Sequence, residues 1–315
     1  MNEIADLIRH IRGQMSRVIV GQEHMSDQCL AALLCRGHAL LEGVPGIAKT
    51  LTVKTLAALL RLQFQRVQCT SDLMPADIVG TNVLNMATSA FQFHPGPVFT
   101  DILLVDEVNR MPPRTQAALL ECMEERQVTI DGVPRRLSAW FTVFSTQNPV
   151  EFEGTYPLPE AQLDRFLLKI NIPYPGANEE VELLSRVQGG FDAHNFESLS
   201  LLPIDPEALL RAQQAVRSIN VEPSLLTYIV HIVRRTRDWP SLSLGASPRA
   251  AIGVLSVSKA FAAFDGRDYV IPDDIKKAVH PVLRHRVMLR PEADLEGVAV
   301  DQVISEVLSA VEVPK

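Results

Sequence analysis

Between residues 40 and 51 the chain reads LLEGVPGIAKTL, and no other stretch narrows the possible folds as much. An apolar run (Ala39, Leu40, Leu41) meets Gly43, passes Pro45 and Gly46, and reaches Lys49-Thr50 ahead of a helical pattern. Strand, loop, helix is the setting of a phosphate-binding loop. Backbone N–H groups in such a loop, with the positive end of the following helix, form a concave anion site. Pro45 has no N–H, so the cradle falls to the amides from Gly46 onward: Ile47, Ala48, Lys49, Thr50 and Leu51. Lys49 can reach the outer phosphates as a point charge, and the Thr50 hydroxyl suits Mg2+. Where the common G-x-x-x-x-G-K-[ST] pattern has its second glycine, this chain has Ala48. Alanine still supplies its N–H there, given a backbone at negative φ.

The stretch TDILLVDEVNR supplies the partner that such a loop needs. Its apolar run over 102–105 reads as a strand buried on both faces, with Asp106 and Glu107 at the carboxyl end. In open parallel sheets that edge is where ligands bind. Asp106 is assigned to hold Mg2+, directly or through water, and Glu107 to orient or deprotonate an attacking water. The alternative is a strand ending in a solvated acidic turn; the phosphate loop upstream, at the right distance for the same sheet, favours the functional reading. A third apolar strand, over 140–145, ends in TQNP. Asn148 there could hydrogen-bond a terminal phosphate or the attacking water, or simply serve an Asn-Pro turn.

At 315 residues the chain exceeds the usual size of one hydrophobic core, so two domains are expected. No apolar run approaches a membrane span, and MNEIADLIRH lacks the build of a signal peptide. Cys29, Cys35, Cys69 and Cys122 have neither C-x-x-C spacing nor a framework, which fits core thiols in a reducing cytoplasm. The net charge of −7 argues against coating nucleic acid, although a local basic patch can hide inside an acidic total. The histidines lack ligand spacing, and none is assigned to a metal.

Along the chain, Ile4, Leu7, Ile8 and Ile11 share one face of a helix over 2–17, and VGQ at 20–22 precedes a second helix. A strand over 62–68 and a short helix over 74–79 come next. Residues 82–98 read as a hairpin, and Asp131-Gly132 marks another over 127–137. Asp164-Arg165 precedes a strand over 166–172, and Arg165 taken alone reads as the ion-pair partner of Asp164. IPYPG at 172–176 is the linker. Beyond it the pattern is helical, with Asn178 as a cap, Asp205-Pro206 opening a helix, another helix over 225–237, Ser247 as the N-cap of Pro248-Arg249, and Pro272 opening one more. The fold expected is α/β: a P-loop domain over 1–176 with a central parallel sheet, N-terminal helices and two projecting hairpins, then an all-helical domain over 177–315.

GVPGIAKT, LLVDEVNR, TQNP, PEAQLDRF and GASPRA occur in this order and at these spacings. Together they resemble the MoxR family of AAA+ ATPases, in the clade with an extra hairpin in its second helix. The resemblance covers roughly residues 20–286. It implies ATP and Mg2+ as ligands, Lys49 and Thr50 as Walker A residues and Asp106 and Glu107 as Walker B. It further implies Asn148 as the first sensor, Arg165 as the arginine finger and Arg249 as the second sensor. Gly21-Gln22 falls on the adenine-side segment, 82–93 on the helix-2 insert, 127–137 on the hairpin before the first sensor, and the helical domain on the lid. Ala48 is common in this family and departs only from the generic loop.

ATP is then expected between the α/β domain and the lid. No further cation of the α/β part is recognisably aimed at the terminal phosphate in cis. Arg165 acting from a neighbouring subunit fills that gap, which implies a homo-oligomeric ring, a hexamer. A trans arginine is worth about three to five orders of magnitude in turnover. The resemblance also implies a protein client, handled in chaperone fashion, with a partner bearing a von Willebrand A domain. Two other functions compete. A nucleic-acid motor would use Arg135 and Arg136, which acidic neighbours such as Asp131 and Glu125 dilute. A nucleotide-gated scaffold could dispense with Glu107.

Overall fold

A computed structural model describes residues 2–149, 154–193, 195 and 201–314, and in it the apolar runs pair as parallel strands. The chain divides into two compact units, one holding Arg12–Leu158 and Ile170–Asp205, the other Met1–Ile11, Pro159–Lys169 and Pro206–Lys315. The elements run α1 (Asn2–Ser16), α2 (Glu23–Leu34), β1 (Ala39–Glu42), α3 (Lys49–Leu59), β2 (Phe64–Gln68), α4 (Pro75–Val79), β3 (Gly80–Asn85), β4 (Ala90–Pro95) and β5 (Ile102–Asp106). A 3₁₀ turn, Val108–Arg110, leads to α5 (Pro113–Glu125), β6 (Gln127–Ile130), β7 (Val133–Arg136) and β8 (Thr142–Gln147). Then come α6 (Glu160–Leu163), β9 (Leu168–Asn171) and α7 (Ala177–Gln188).

Among the described residues, five strands form one sheet in the order β2-β5-β8-β1-β9. The pairs β2–β5, β5–β8 and β8–β1 are parallel. Residues 102–105 of β5 and 142–146 of β8 are buried, as are Ala39, Leu40 and Leu41 of β1. Strands covered on both faces are mostly apolar, although β8 also buries Thr142, Ser145 and Thr146, and each buried Leu, Ile or Val contributes about 1.5–3 kcal/mol. The hairpins form where expected. β3 pairs with β4 and β6 with β7, both antiparallel. Asp131 (φ 49) and Gly132 (φ 78) turn the second hairpin with positive φ at both central positions, the conformation an Asp-Gly turn is suited to. The hairpins also touch: Asn82 Nδ2 donates to Asp131 Oδ2 at 2.6 Å, and the Arg135 guanidinium lies 4.0 Å over the Phe93 ring.

The second unit carries α8 (Pro206–Ser218), α9 (Pro223–Arg237), β10 (Leu242–Leu244), α10 (Pro248–Phe264), α11 (Pro272–Leu283), β11 (Met288–Leu289), α12 (Pro291–Leu295) and α13 (Val300–Ser309). Proline opens α8 to α12, where its missing N–H costs nothing and its fixed φ suits the first turn. The unit is mainly helical, as expected, with additions: α12 and α13 follow the last helix read from sequence, and β10 and β11 pair as a small antiparallel ribbon. Two caps differ from expectation. Gly176, not Asn178, is the N-cap of α7, and its N–H is taken by Glu179 Oε2 at 2.6 Å. Ser247 does stand at the N-cap of α10, but its hydroxyl makes no capping bond. No helix among the described residues is long and apolar enough to cross a membrane. All four cysteines are free, and burial pushes the Cys122 thiol up to about 12.

His38 ties β1, β8 and α5 together just below the sheet. Its Nδ1 accepts the Val143 N–H at 2.9 Å, and its Nε2–H donates to Met123 O at 3.1 Å. Burial, then the charge of Arg126, lower its pKa to about 3 from 6.5. The folded state therefore resists a proton that the unfolded chain accepts. This stability is fully present above the unfolded pKa of 6.5 and is lost as pH falls toward 3. Urea midpoints measured across that window should decline on acidification with a His38 contribution of up to about 1.4 kcal/mol per pH unit. In His38→Gln that contribution should vanish, and an unchanged pH slope would contradict the assignment.

Candidate active site

The loop after β1 has the shape that its sequence called for, by a different backbone. Gly46 (φ 86) and Ala48 (φ 63) both sit in the left-handed region. The negative φ expected of Ala48 is thus corrected. The N–H remains available, but alanine carries the strain of roughly 1–2 kcal/mol that a glycine would avoid. Gly43 is required for another reason: a Cβ there would come 2.8 Å from the Ile172 carbonyl oxygen. Lys49, the first residue of α3, turns back over the loop and donates from Nζ to Gly43 O at 2.7 Å. The loop leads directly into the N-terminus of α3, where unpaired amides and the helix dipole favour an anion.

Asp106 ends β5, and Glu107 comes next in the left-handed region (φ 59). Thr146 near the end of β8 links the two. Its Oγ1–H donates to Asp106 Oδ1 at 2.5 Å, and the same oxygen accepts the Glu107 N–H at 2.9 Å. Arg66 Nη2 donates to Asp106 Oδ2 at 2.6 Å, and Gln68 Nε2 to Glu107 Oε2 at 3.2 Å. Arg110 lies 3.1 Å from that same Glu107 oxygen. Asp106 is therefore oriented by a neutral and a cationic donor, and Glu107 by a neutral donor with a cation beside it. Sequence reading passed over Arg66, Gln68, Arg110 and Thr146. A signal for two of them existed: strand alternation places Phe64, Arg66 and Gln68 on one face of β2.

Arg66, Gln68, Asp106, Glu107 and Thr146 border one cavity of about 640 Å³. Gly46, Ile47, Ala48, Lys49, Thr50 and Leu51 line it, together with Asp106, Glu107 and Asn148. Arg66 lines it too, so the α/β part does bring a further cation to this space. Ile19, Val20, Leu183 and Phe191 add an apolar wall, with Gln22 and Glu179 as polar members of the lining. Gln22 is buried and donates from Nε2 to Pro173 O at 3.2 Å. Gly21 (φ 70) sits in the left-handed region that favours glycine, and a Cβ there would push the Glu179 carboxyl aside. Cys69, next to β2, has its thiol pushed up to about 12 by burial and then by the charges of Asp106 and Glu107.

Arg165 and Arg249 belong to the other unit. There Asp164 Oδ1 accepts from Arg286 Nε at 2.6 Å, while Arg249 Nη1 lies 4.0 Å from Asp164 Oδ2. The structure thus gathers Asp164, Arg249 and Arg286 beside Arg165.

Residues 38–168 match the family model "ATPase family associated with various cellular activities (AAA)", and residues 234–307 match the AAA lid domain. The chain is 46% identical to the uncharacterized protein YeaC of Bacillus subtilis, over 95% of this chain and 92% of that protein. It is 41% identical to the chaperone MoxR1 of Mycobacterium tuberculosis, over 96% of this chain and 81% of that one. A crystal structure from Cytophaga hutchinsonii, of a protein proposed to be an ATPase, superposes with a TM-score of 0.90 at 40% identity, covering 99% of this chain and 96% of that chain. Identity of this degree along nearly the whole length, with core and lid matched in chain order, makes this chain a member of the MoxR family of AAA+ ATPases.

Proposed function

We propose that this ATPase works with Mg2+ in a homo-oligomeric ring, a hexamer, and remodels or matures a protein client in the cytoplasm. One observation carries the reading: Lys49, Thr50, Asp106, Glu107 and Asn148 share the wall of a cavity large enough for a nucleotide. A hydroxyl from Thr50 and a carboxylate from Asp106 are the hard oxygen donors that magnesium prefers, so the residues present fit the ion. When bound, it neutralises charge on the phosphate oxygens.

The chain's own groups supply the rest. The amides of 46–51 bind the phosphates, and Lys49 exchanges the Gly43 carbonyl for an outer phosphate oxygen. Glu107 takes a proton from the attacking water while Asn148 orients that water. Gly21 and Gln22 border the base. Residues 1–176 act as the nucleotide-binding domain and 177–315 as the lid, in which Arg249 senses the terminal phosphate. Arg165 from a neighbouring subunit stabilises the transferring group. Client contact falls to the hairpins, where Met86 (84% exposed) and Phe91 (74%) flank the first tip and Val133 (50%) the second. Apolar groups exposed together on a surface mark an interaction site. The chaperone designation of the Mycobacterium tuberculosis relative supports this, and a partner with a von Willebrand A domain would present the client. A nucleic-acid motor has less support, because Arg135 is stacked on Phe93 rather than presented outward.

Lys49→Ala should weaken ATP binding by about 10–100-fold, the loss of one charge-assisted contact. Titration with a fluorescent nucleotide measures this, and wild-type affinity would remove Lys49 from the phosphate site. Glu107→Gln should retain ATP but lower phosphate release by about 10²–10⁴-fold; turnover at the wild-type rate would mean that another group prepares the water. Arg165→Ala alone should lose about 10³–10⁵-fold in turnover. Mixed with Lys49→Ala subunits it should recover activity, because each variant supplies what its neighbour lacks. No recovery at any mixing ratio would rule out action in trans.

A further inference from the structure

Arg286 is a buried arginine with every donor in use. An arginine offers five N–H groups in a rigid plane, and this one makes five hydrogen bonds. Nε donates to Asp164 Oδ1 at 2.6 Å; Nη1 donates to Val282 O at 2.6 Å and Leu167 O at 3.0 Å; Nη2 donates to Phe166 O at 2.6 Å and Asp164 O at 3.1 Å. Four of the five acceptors lie in the turn over 164–167, and the fifth is a carbonyl near the end of α11. Two main-chain bonds close the same turn from the other side: Arg165 N to Gln162 O at 3.2 Å and Phe166 N to Leu163 O at 3.0 Å. The peptide before Arg165 is held through its carbonyl by Arg286, and the peptide after it through the Phe166 N–H. His285 Nε2–H adds a bond to Phe166 O at 2.8 Å.

A helix end could be capped with far less. A single lysine, or water, would satisfy Val282 O. Committing a whole buried guanidinium to the carbonyls of Asp164, Phe166 and Leu167 and to a carboxylate makes sense if the exact path of the turn matters. The side chain on that turn is Arg165. We infer that Arg286 is a positioning residue for the reaction: it fixes the backbone that presents Arg165 to the neighbouring subunit. This rests on the reading of Arg165 as acting in trans. The turn groups with α8 to α13 rather than with the sheet, so Arg165 is carried by the same unit as Arg249. Asp164 stands between them, bonded to Arg286 and 4.0 Å from Arg249. A displacement of about 1 Å in a group acting on the reacting phosphoryl can cost 10²-fold in rate.

Arg286→Lys keeps the charge but loses the planar fork and at least two of the five bonds. In the full chain, its ATP affinity and KM should stay within about twofold of wild type while kcat falls by on the order of 10–100-fold. Mixing with Lys49→Ala subunits should restore turnover, since those subunits present an intact Arg165 turn to the variant's own ATP site. Asp164→Asn, which keeps the acceptor for Nε, should show the same pattern with a smaller loss, and it serves if the lysine variant folds poorly. Arg165→Ala with Lys49→Ala is the control. If the control recovers and neither positioning variant does, or if both variants turn over like wild type, the inference is wrong. A loss of ATP affinity in step with kcat would likewise mark Arg286 as merely structural and overturn it. If the control itself fails to recover, the trans reading of Arg165 falls, and the positioning role with it.

Discussion

The register of three parallel strands decides almost everything about the site. Val105 of β5 lies opposite Ser145 of β8, and Thr146 of β8 lies opposite Leu41 of β1. Glu42, Asp106 and Gln147 therefore end their strands along one edge. The phosphate loop leaves from the first, Glu107 from the second and Asn148 from the third. A one-residue slip of β8 would reverse which side chains face each layer, and it would take the Thr146 hydroxyl away from Asp106. Packing holds the register. Each buried aliphatic on these strands is worth about 1.5–3 kcal/mol, against about 0.5–1.5 kcal/mol for a typical hydrogen bond. The site's polar geometry is inherited from an apolar decision.

On that edge the carboxylates are already compensated. Asp106 is gripped at one oxygen by Thr146 and at the other by Arg66, and Glu107 meets Gln68 and Arg110 at one oxygen. A ligand bringing its own cation has to displace or share these partners instead of filling bare negative charge.

Most of this frame was legible in the residues. Apolar runs marked the buried strands, prolines marked helix starts, and Asp131-Gly132 marked a hairpin turn, which forms with positive φ at both residues. What sequence order hides is lateral: Thr146 and Asp106 are 40 residues apart, and nothing local says that a threonine hydroxyl will bridge two acids. Ala48 escaped for a different reason. A left-handed alanine contradicts local preference and is held there by the loop around it, which no propensity reveals. Arg286 was invisible as well, since four of its five bonds reach 119–122 residues away. Asn178 lost its capping role to a glycine because Glu179 closes the turn through the backbone instead.

The clasp between the hairpins has a mechanical consequence. The first hairpin is a cantilever rooted at α4, with Met86 and Phe91 toward its free end. The turn of the second props it from below through Asp131 on Asn82, and Arg135 on Phe93 prevents sliding. A pull at the free end is thereby split between two roots. One share enters α4; the other passes down β6 into α5, whose start comes directly after the 3₁₀ turn beyond Glu107. A lone hairpin would lean on α4 alone, whereas the braced one is also tied through β6 to the C-terminal end of α5.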